Sequence, residues 1–157
     1  MSTLTAAEVA EQEASLVLDS FTLADAVGLG AIAQSRAESE ELPVIIQVRH
    51  GRRLAFMVSL PGSQYDSENW INRKAAVVEK FETSTLYQKL RYAERGTTFA
   101  EATGLSTAEF AAHGGGMPIR VANVGIVGSI YASGLPDVED HEFLVDCLLE
   151  LKAAQAL

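Results

Sequence analysis

His113-Gly114-Gly115-Gly116 places an imidazole beside three residues whose amides carry no Cβ shield. Grouped backbone amides can stabilise a developing negative charge, as in the oxyanion loop of lipase-type esterases. That chemistry needs a serine on a Gly-x-Ser-x-Gly elbow, and the sequence contains none. The nearest segment, Gly104-Leu105-Ser106-Thr107-Ala108, lacks the last glycine and reads as a helix cap. The same amides could instead hold an anionic group of a small molecule. His113 and Arg120 would assist, joined by Asn69 and Lys74 if the fold brings them near.

Other motifs are weaker. Gly28-x-Gly30-x-x-Ala33 has the outline of a dinucleotide fingerprint. Such a fingerprint works only after a buried strand, with the pyrophosphate on the helix start. Here the glycines lie inside a run already capped at Thr22, and close helix packing explains them better. His50, His113 and His141 fall in separate segments without metal-site spacing. His50 reads as a turn residue, and His141, between Asp140 and Glu142, as a solvated surface residue. His113 is retained as the candidate, its neighbouring amides left open to a ligand. The single cysteine, Cys147, sits in an apolar helical pattern and reads as a buried, inert thiol. Asp66, Glu68, Asp137 and Asp140 stand near helix starts, where interaction with the helix dipole accounts for them.

The elements that must position these groups follow from periodicity and caps. Thr5-x-x-Glu8 and Thr22-x-x-Asp25 are capping boxes opening two helices. The second is expected to bury Leu23, Ala26, Val27, Gly30 and Ala33 and to fray before Pro43. Val44–Val48 and Leu54–Ser59 read as a β-hairpin turning at His50-Gly51. Trp70, Ile71, Ala75, Val77, Val78 and Phe81 follow a helical period. A further helix stops at Gly96, and Ser106-x-x-Glu109 is expected to cap a short one ending near His113. A second hairpin, Ile119–Ala122 and Val124–Ala132, turns near Asn123. Its second strand is apolar on both faces and reads as central and covered twice. A last helix, about Val138–Ala154, turns Phe143, Leu144, Cys147, Leu148 and Leu151 inward. Serial hairpins with flanking helices make an α+β layered domain around an antiparallel sheet.

The 157 residues suit a single domain, 1–157, with residues 1–7 read as a segment free to be flexible. The net charge of -9, with scattered bases, opposes nucleic-acid binding. The N-terminus has no basic region of a secretory signal, and no apolar run reaches membrane-span length. The expectation is a cytoplasmic protein without nucleic-acid or membrane partners.

The second hairpin and its surroundings resemble the C-terminal signature of the HbpS-like, GlcG-type haem-degrading domain family. Gly115, Gly116, Pro118, Ile119, Gly128, Ile130, Ser133, Gly134, Pro136 and Asp140 match that pattern. Asn69-Trp70-Ile71-x-x-Lys74 is similar to the branch long catalogued as uncharacterised. The likeness covers the chain from about Glu8 onward. It implies a profilin-like α-β-α sandwich with a central antiparallel sheet, assembled into homo-oligomers. Some relatives bind or degrade haem, and some accompany corrinoid enzymes. The resemblance implies haem as a cofactor, with His113 and Met117 as candidate iron ligands. The glycine signature could equally preserve a subunit contact. Three functions are therefore carried forward: a haem-binding or haem-degrading-like protein, a non-enzymatic homo-oligomeric scaffold or adaptor, and a small-molecule enzyme acting at the glycine loop.

Overall fold

The computed structural model describes residues 3–157. Among them the chain forms six helices and four strands, in the order α1 (Ala6–Ser15), α2 (Leu23–Ser39), β1 (Ile45–His50), β2 (Arg53–Ser59), α3 (Asp66–Phe81), α4 (Thr85–Ala93), α5 (Phe99–Thr103), β3 (Gly116–Val121), β4 (Gly125–Ser133) and α6 (Asp137–Gln155). The strands form one antiparallel sheet in the order β2-β1-β4-β3. The two hairpins thus lie side by side, joined along β1 and β4. Strand β4 is central, as its two-faced apolarity requires.

Alternation along the strands sends side chains to opposite faces. Ile46, Val48, Met117, Ile119, Ile130 and Ala132 enter the main core, with Leu29 and Ala33 of α2 and Leu144 and Leu148 of α6. Ile45 and Tyr131 face the other way, onto Ile71, Ala75 and Val78 of α3. Helices therefore cover both sheet faces, and the expected α-β-α layering holds. Helix α1 packs on α4, and its capping box at Thr5 and Glu8 is formed, as is that of α2 at Thr22 and Asp25. Of the segment expected to be flexible, Met1 and Ser2 lie outside the described residues, Thr5 caps α1, and Ala6 and Ala7 begin it.

Helix α2 runs to Ser39 and, as expected, stops before Pro43. Several expectations need correction. Leu23 and Val27 face outward, and Leu29 and Ala37 take their place in the core. Gly30 is small because the Phe56 ring of β2 rests on it: a Cβ there would meet ring carbons at 2.1 Å. The segment at Ser106 forms a turn rather than a helix. The short helix lies just before it, where the Thr98 hydroxyl accepts from the Glu101 amide and Gly104 closes the end with φ +74°. Thr98-x-x-Glu101 is the same cap pattern, placed after the Gly96 stop.

Candidate functional site

Helix α3 exposes Asp66, Asn69 and Asn72 and buries Ser67, Ile71, Lys74, Ala75 and Val78. Lys74 is on the buried face because it lies three residues after Ile71 and four before Val78. Its Nζ donates to Ala132 O of β4 at 3.0 Å and to Asp140 Oδ2 of α6 at 3.4 Å. Both side chains of this pair are 3% exposed. Asp140 Oδ1 accepts from the Leu135 amide at 3.1 Å. One buried pair thus ties α3, β4 and the first turn of α6 together.

The triple glycine threads beside this pair, and its amides are not an open cradle. The Gly116 amide donates to Thr85 Oγ1 of α4 at 3.0 Å, and the Gly115 carbonyl accepts from the Ala132 amide. A Cβ on Gly114 would lie 1.9 Å from Asp137 O. One on Gly115, where φ is +119°, would lie 2.3 Å from Ala132 O and 2.5 Å from Lys74 Nζ. The glycines are required by close approach, of Asp137 at Gly114 and of Ala132 and Lys74 at Gly115.

His113 stands at the edge of this seam with its side chain half exposed, and its ring meets Trp70 edge-on at 5.4 Å. It lies between two recesses. One is a polar cleft of about 240 Å³ bordered by Ser67, Trp70, Lys74, Gly114, Asp137 and Asp140. The other is a largely apolar groove of about 380 Å³, bordered by Phe99, Phe110, Ala111 and Ala112 with Arg73 and Lys89.

Burial sets the protonation of these groups. Desolvation, followed by the charge of Lys89, holds the His113 imidazole below its ordinary value. Desolvation lowers Lys74, against the pull of Asp140. Desolvation raises the Asp140 carboxyl to about 6, against the charge of Lys74. For Asp137, burial acts upward, but the hydrogen bond and charge of Lys89 outweigh it and leave the carboxyl low. Burial without a counter-charge strong enough to compensate disfavours the ionised form of both members of the Lys74–Asp140 pair.

The candidates named from sequence separate into groups. His113, Gly114 and Lys74 meet at the cleft, and Gly115 and Gly116 back it. Asn69 is on the exposed side of α3. Arg120 lies elsewhere on β3, binding Glu13 Oε1 at 3.1 Å and Glu82 O at 2.6 Å. Met117 is fully buried in the main core. His141, expected on the surface, is also fully buried, and its Nε2 pairs with Gln12 Oε1 of α1 at 2.8 Å. Asp140 is more than a helix-dipole residue, being the buried partner of Lys74. The signal that finds both was present: Asp140 and His141 precede the buried Leu144 by four and three residues. Arg73 was also missed. It stacks over Trp70 at 4.0 Å, and its Nη1 donates to Thr107 O at 3.0 Å.

A family model described as haem degrading protein HbpS-like matches residues 21–148. The chain belongs to the HbpS-like family. A UPF0303 protein of Streptomyces coelicolor is 42% identical over 144 residues, covering 92% of this chain and 91% of the relative. The crystal structure of Ybr137w protein superposes with a TM-score of 0.88 at 25% identity, covering 99% of this chain and 92% of that one. The PduOC:heme complex shares the fold, with a TM-score of 0.68 at 16% identity over 84% of this chain and 94% of that one. Of these comparisons, the family model leaves α1 outside its match, yet α1 is part of this HbpS-like chain's packing through Gln12 and His141. No helix among the described residues is long and apolar enough to cross a membrane.

Proposed function

We propose that this protein binds haem in the groove beside His113, with family membership and groove chemistry supporting the reading together. The observation that carries it is the position of His113, a half-exposed imidazole held toward its neutral form beside an apolar recess. A neutral imidazole is the form that ligates iron. Phe99, Phe110, Ala111 and Ala112 offer apolar surface to a porphyrin face. Arg73 and Lys89 border the same groove and offer cations to its carboxylates. Arg73 Nε is buried without a hydrogen-bond partner among the described residues, a donor that an acceptor on the ligand would satisfy. His113 is the better of the two candidate ligands, since Met117 lies in the core. Bound haem would supply a redox-active iron at this position.

The groove is at the small end of ligand pockets, which span roughly 300–1,000 Å³. A porphyrin would project from it, and a second copy of the chain is the cover that this reading calls for. The homo-oligomeric scaffold reading shares that requirement but needs no ligand.

Titration of the full chain with hemin tests the proposal. A saturable Soret shift at micromolar hemin is expected, lost in His113→Ala and retained in Met117→Leu. No saturable shift in the wild-type protein overturns it. Light scattering with and without hemin tests the oligomer, and a monomer under both conditions contradicts that part.

A further inference from the structure

The haem groove leaves the polar cleft on the other side of His113 unexplained. Its wall holds a lysine with an unusual combination of partners. Lys74 Nζ has two acceptors, Ala132 O and Asp140 Oδ2, for its N–H groups. In the neutral amine the remaining tetrahedral position is the lone pair. The missing side chain of Gly115 lets the main chain pass close to that nitrogen, since a Cβ would stand 2.5 Å from it. A pair serving only as a brace needs no recess, yet Lys74 and Asp140 both border a cleft of about 240 Å³. His113, Ser67, Gln64 and Ser133 complete a polar lining.

We infer that Lys74 is an imine-forming lysine and that the cleft takes a small, uncharged, hydroxylated aldehyde or ketone. Size limits the ligand to a few carbons. Charge limits it further: with the Lys74 amine neutral, the Asp66 and Asp137 carboxylates bordering the cleft disfavour an anionic carbonyl compound. Ser67, Gln64 and Ser133 are suited to hydroxyl groups. Trp70 provides one apolar wall.

The step balances without a co-reactant. The amine lone pair attacks the carbonyl carbon and forms the C–N bond, while the C=O π electrons move to oxygen. Proton transfer from nitrogen to that oxygen gives a carbinolamine. Asp140, whose carboxyl is raised toward neutrality, donates a proton to the hydroxyl as the nitrogen lone pair forms C=N. Water leaves, and the nitrogen's remaining proton returns to the Asp140 carboxylate. Amine plus carbonyl thus gives imine plus water. Lowering of the Lys74 ammonium by burial favours the reactive free base.

Reductive trapping on the full chain provides the test. The protein is incubated with dihydroxyacetone and cyanoborohydride at neutral pH, and adducts are mapped by peptide mass spectrometry. Lys74 is expected to label roughly tenfold faster than Lys80, Lys89 and Lys152. Labelling of Lys74 no faster than the other three overturns the proposal. Asp140→Asn preserves side-chain size and is expected to slow the Lys74 adduct selectively; an unchanged rate removes Asp140 from the step as written. Pyruvate should label Lys74 less than dihydroxyacetone does, and the reverse order overturns the uncharged class. Phe110→Ala lies in the apolar groove and outside the cleft, so it is expected to weaken the hemin response while keeping the Lys74 adduct, and failure of either reading is visible apart from the other.

Discussion

Lys74 Nζ lies 3.4 Å from Asp140 Oδ2, with both side chains 3% exposed, and this contact joins α3 to α6 across the end of β4. Removing one member of a buried pair strands the other in a low-dielectric site, at a cost of about 3–5 kcal/mol. Lys74→Met alone and Asp140→Leu alone should each destabilise the protein on that scale. The double variant should recover most of the loss, because two well-packed apolar side chains avoid both desolvation costs. Urea unfolding of the four proteins measures the coupling. Additive losses in the double variant would show that the pair acts independently of its own charges.

Adjacent residues of α6 should give opposite pH dependences. Burial depresses His141 from 6.5 to about 4, so its neutral form belongs to the folded state. Its contribution is complete above pH 6.5 and is lost as pH falls toward 4, by about 3 kcal/mol in total. Asp140 is raised from 3.8 to about 6, so the folded state takes up its proton first. That group favours folding most at low pH, and the advantage declines as pH rises from 3.8 to 6. The two slopes oppose each other between about pH 4 and 6. His141→Gln should therefore destabilise most at neutral pH and progressively less toward pH 4. Denaturation midpoints measured across that range check it; a pH-independent difference contradicts the buried neutral histidine.

The elements of this fold were readable because they depend on local chemistry. Capping boxes at Thr5 and Thr22, the apolar alternation of β1 and β4, and the positive φ turn at Asn123 all act within a few residues. The site was less readable because it depends on packing across the chain. His113 was identified, but for the amides beside it, whereas the structure spends Gly116's amide on Thr85. Judged by type and place, Asp140 reads as a helix-dipole residue and His141 as a solvated one. Their spacing to Leu144 placed them inside, where Lys74 and Gln12, at 66 and 129 residues' separation, provide their side-chain partners. Arg120 and Asn69 carried plausible chemistry, yet strand order and helix phase send them away from His113.

The glycines of α2 offer a contrast within one helix. Gly28 has nothing within 4 Å of an added Cβ, whereas at Gly30 the Phe56 ring occupies that space. Gly28→Ala should stabilise by about 0.5–1 kcal/mol, through the lower entropy lost on helix formation. Gly30→Ala should destabilise by about 1–3 kcal/mol, as Phe56 is driven off α2. Thermal unfolding of both variants distinguishes them. Equal effects would argue against the α2–β2 packing that separates Gly30 from a nucleotide-binding glycine.

Met117 and His113 lie only four residues apart, but the strand carries them into different environments. Met117 is fully buried among Ile119, Ile130 and Leu144, while the His113 side chain is 48% exposed. For Met117 to ligate iron, the main core would have to open. Met117→Leu keeps volume and apolarity, so it should cost less than about 1.5 kcal/mol and leave the hemin spectrum unchanged. His113→Ala removes a partly exposed ring and its edge contact with Trp70, leaving the core intact. It should change stability by about 1 kcal/mol or less and abolish the saturable Soret shift. Absorption spectra recorded beside unfolding curves separate ligand loss from misfolding. A hemin spectrum that follows Met117 instead of His113 would require the core to rearrange around the porphyrin, and the groove would then have no part in binding.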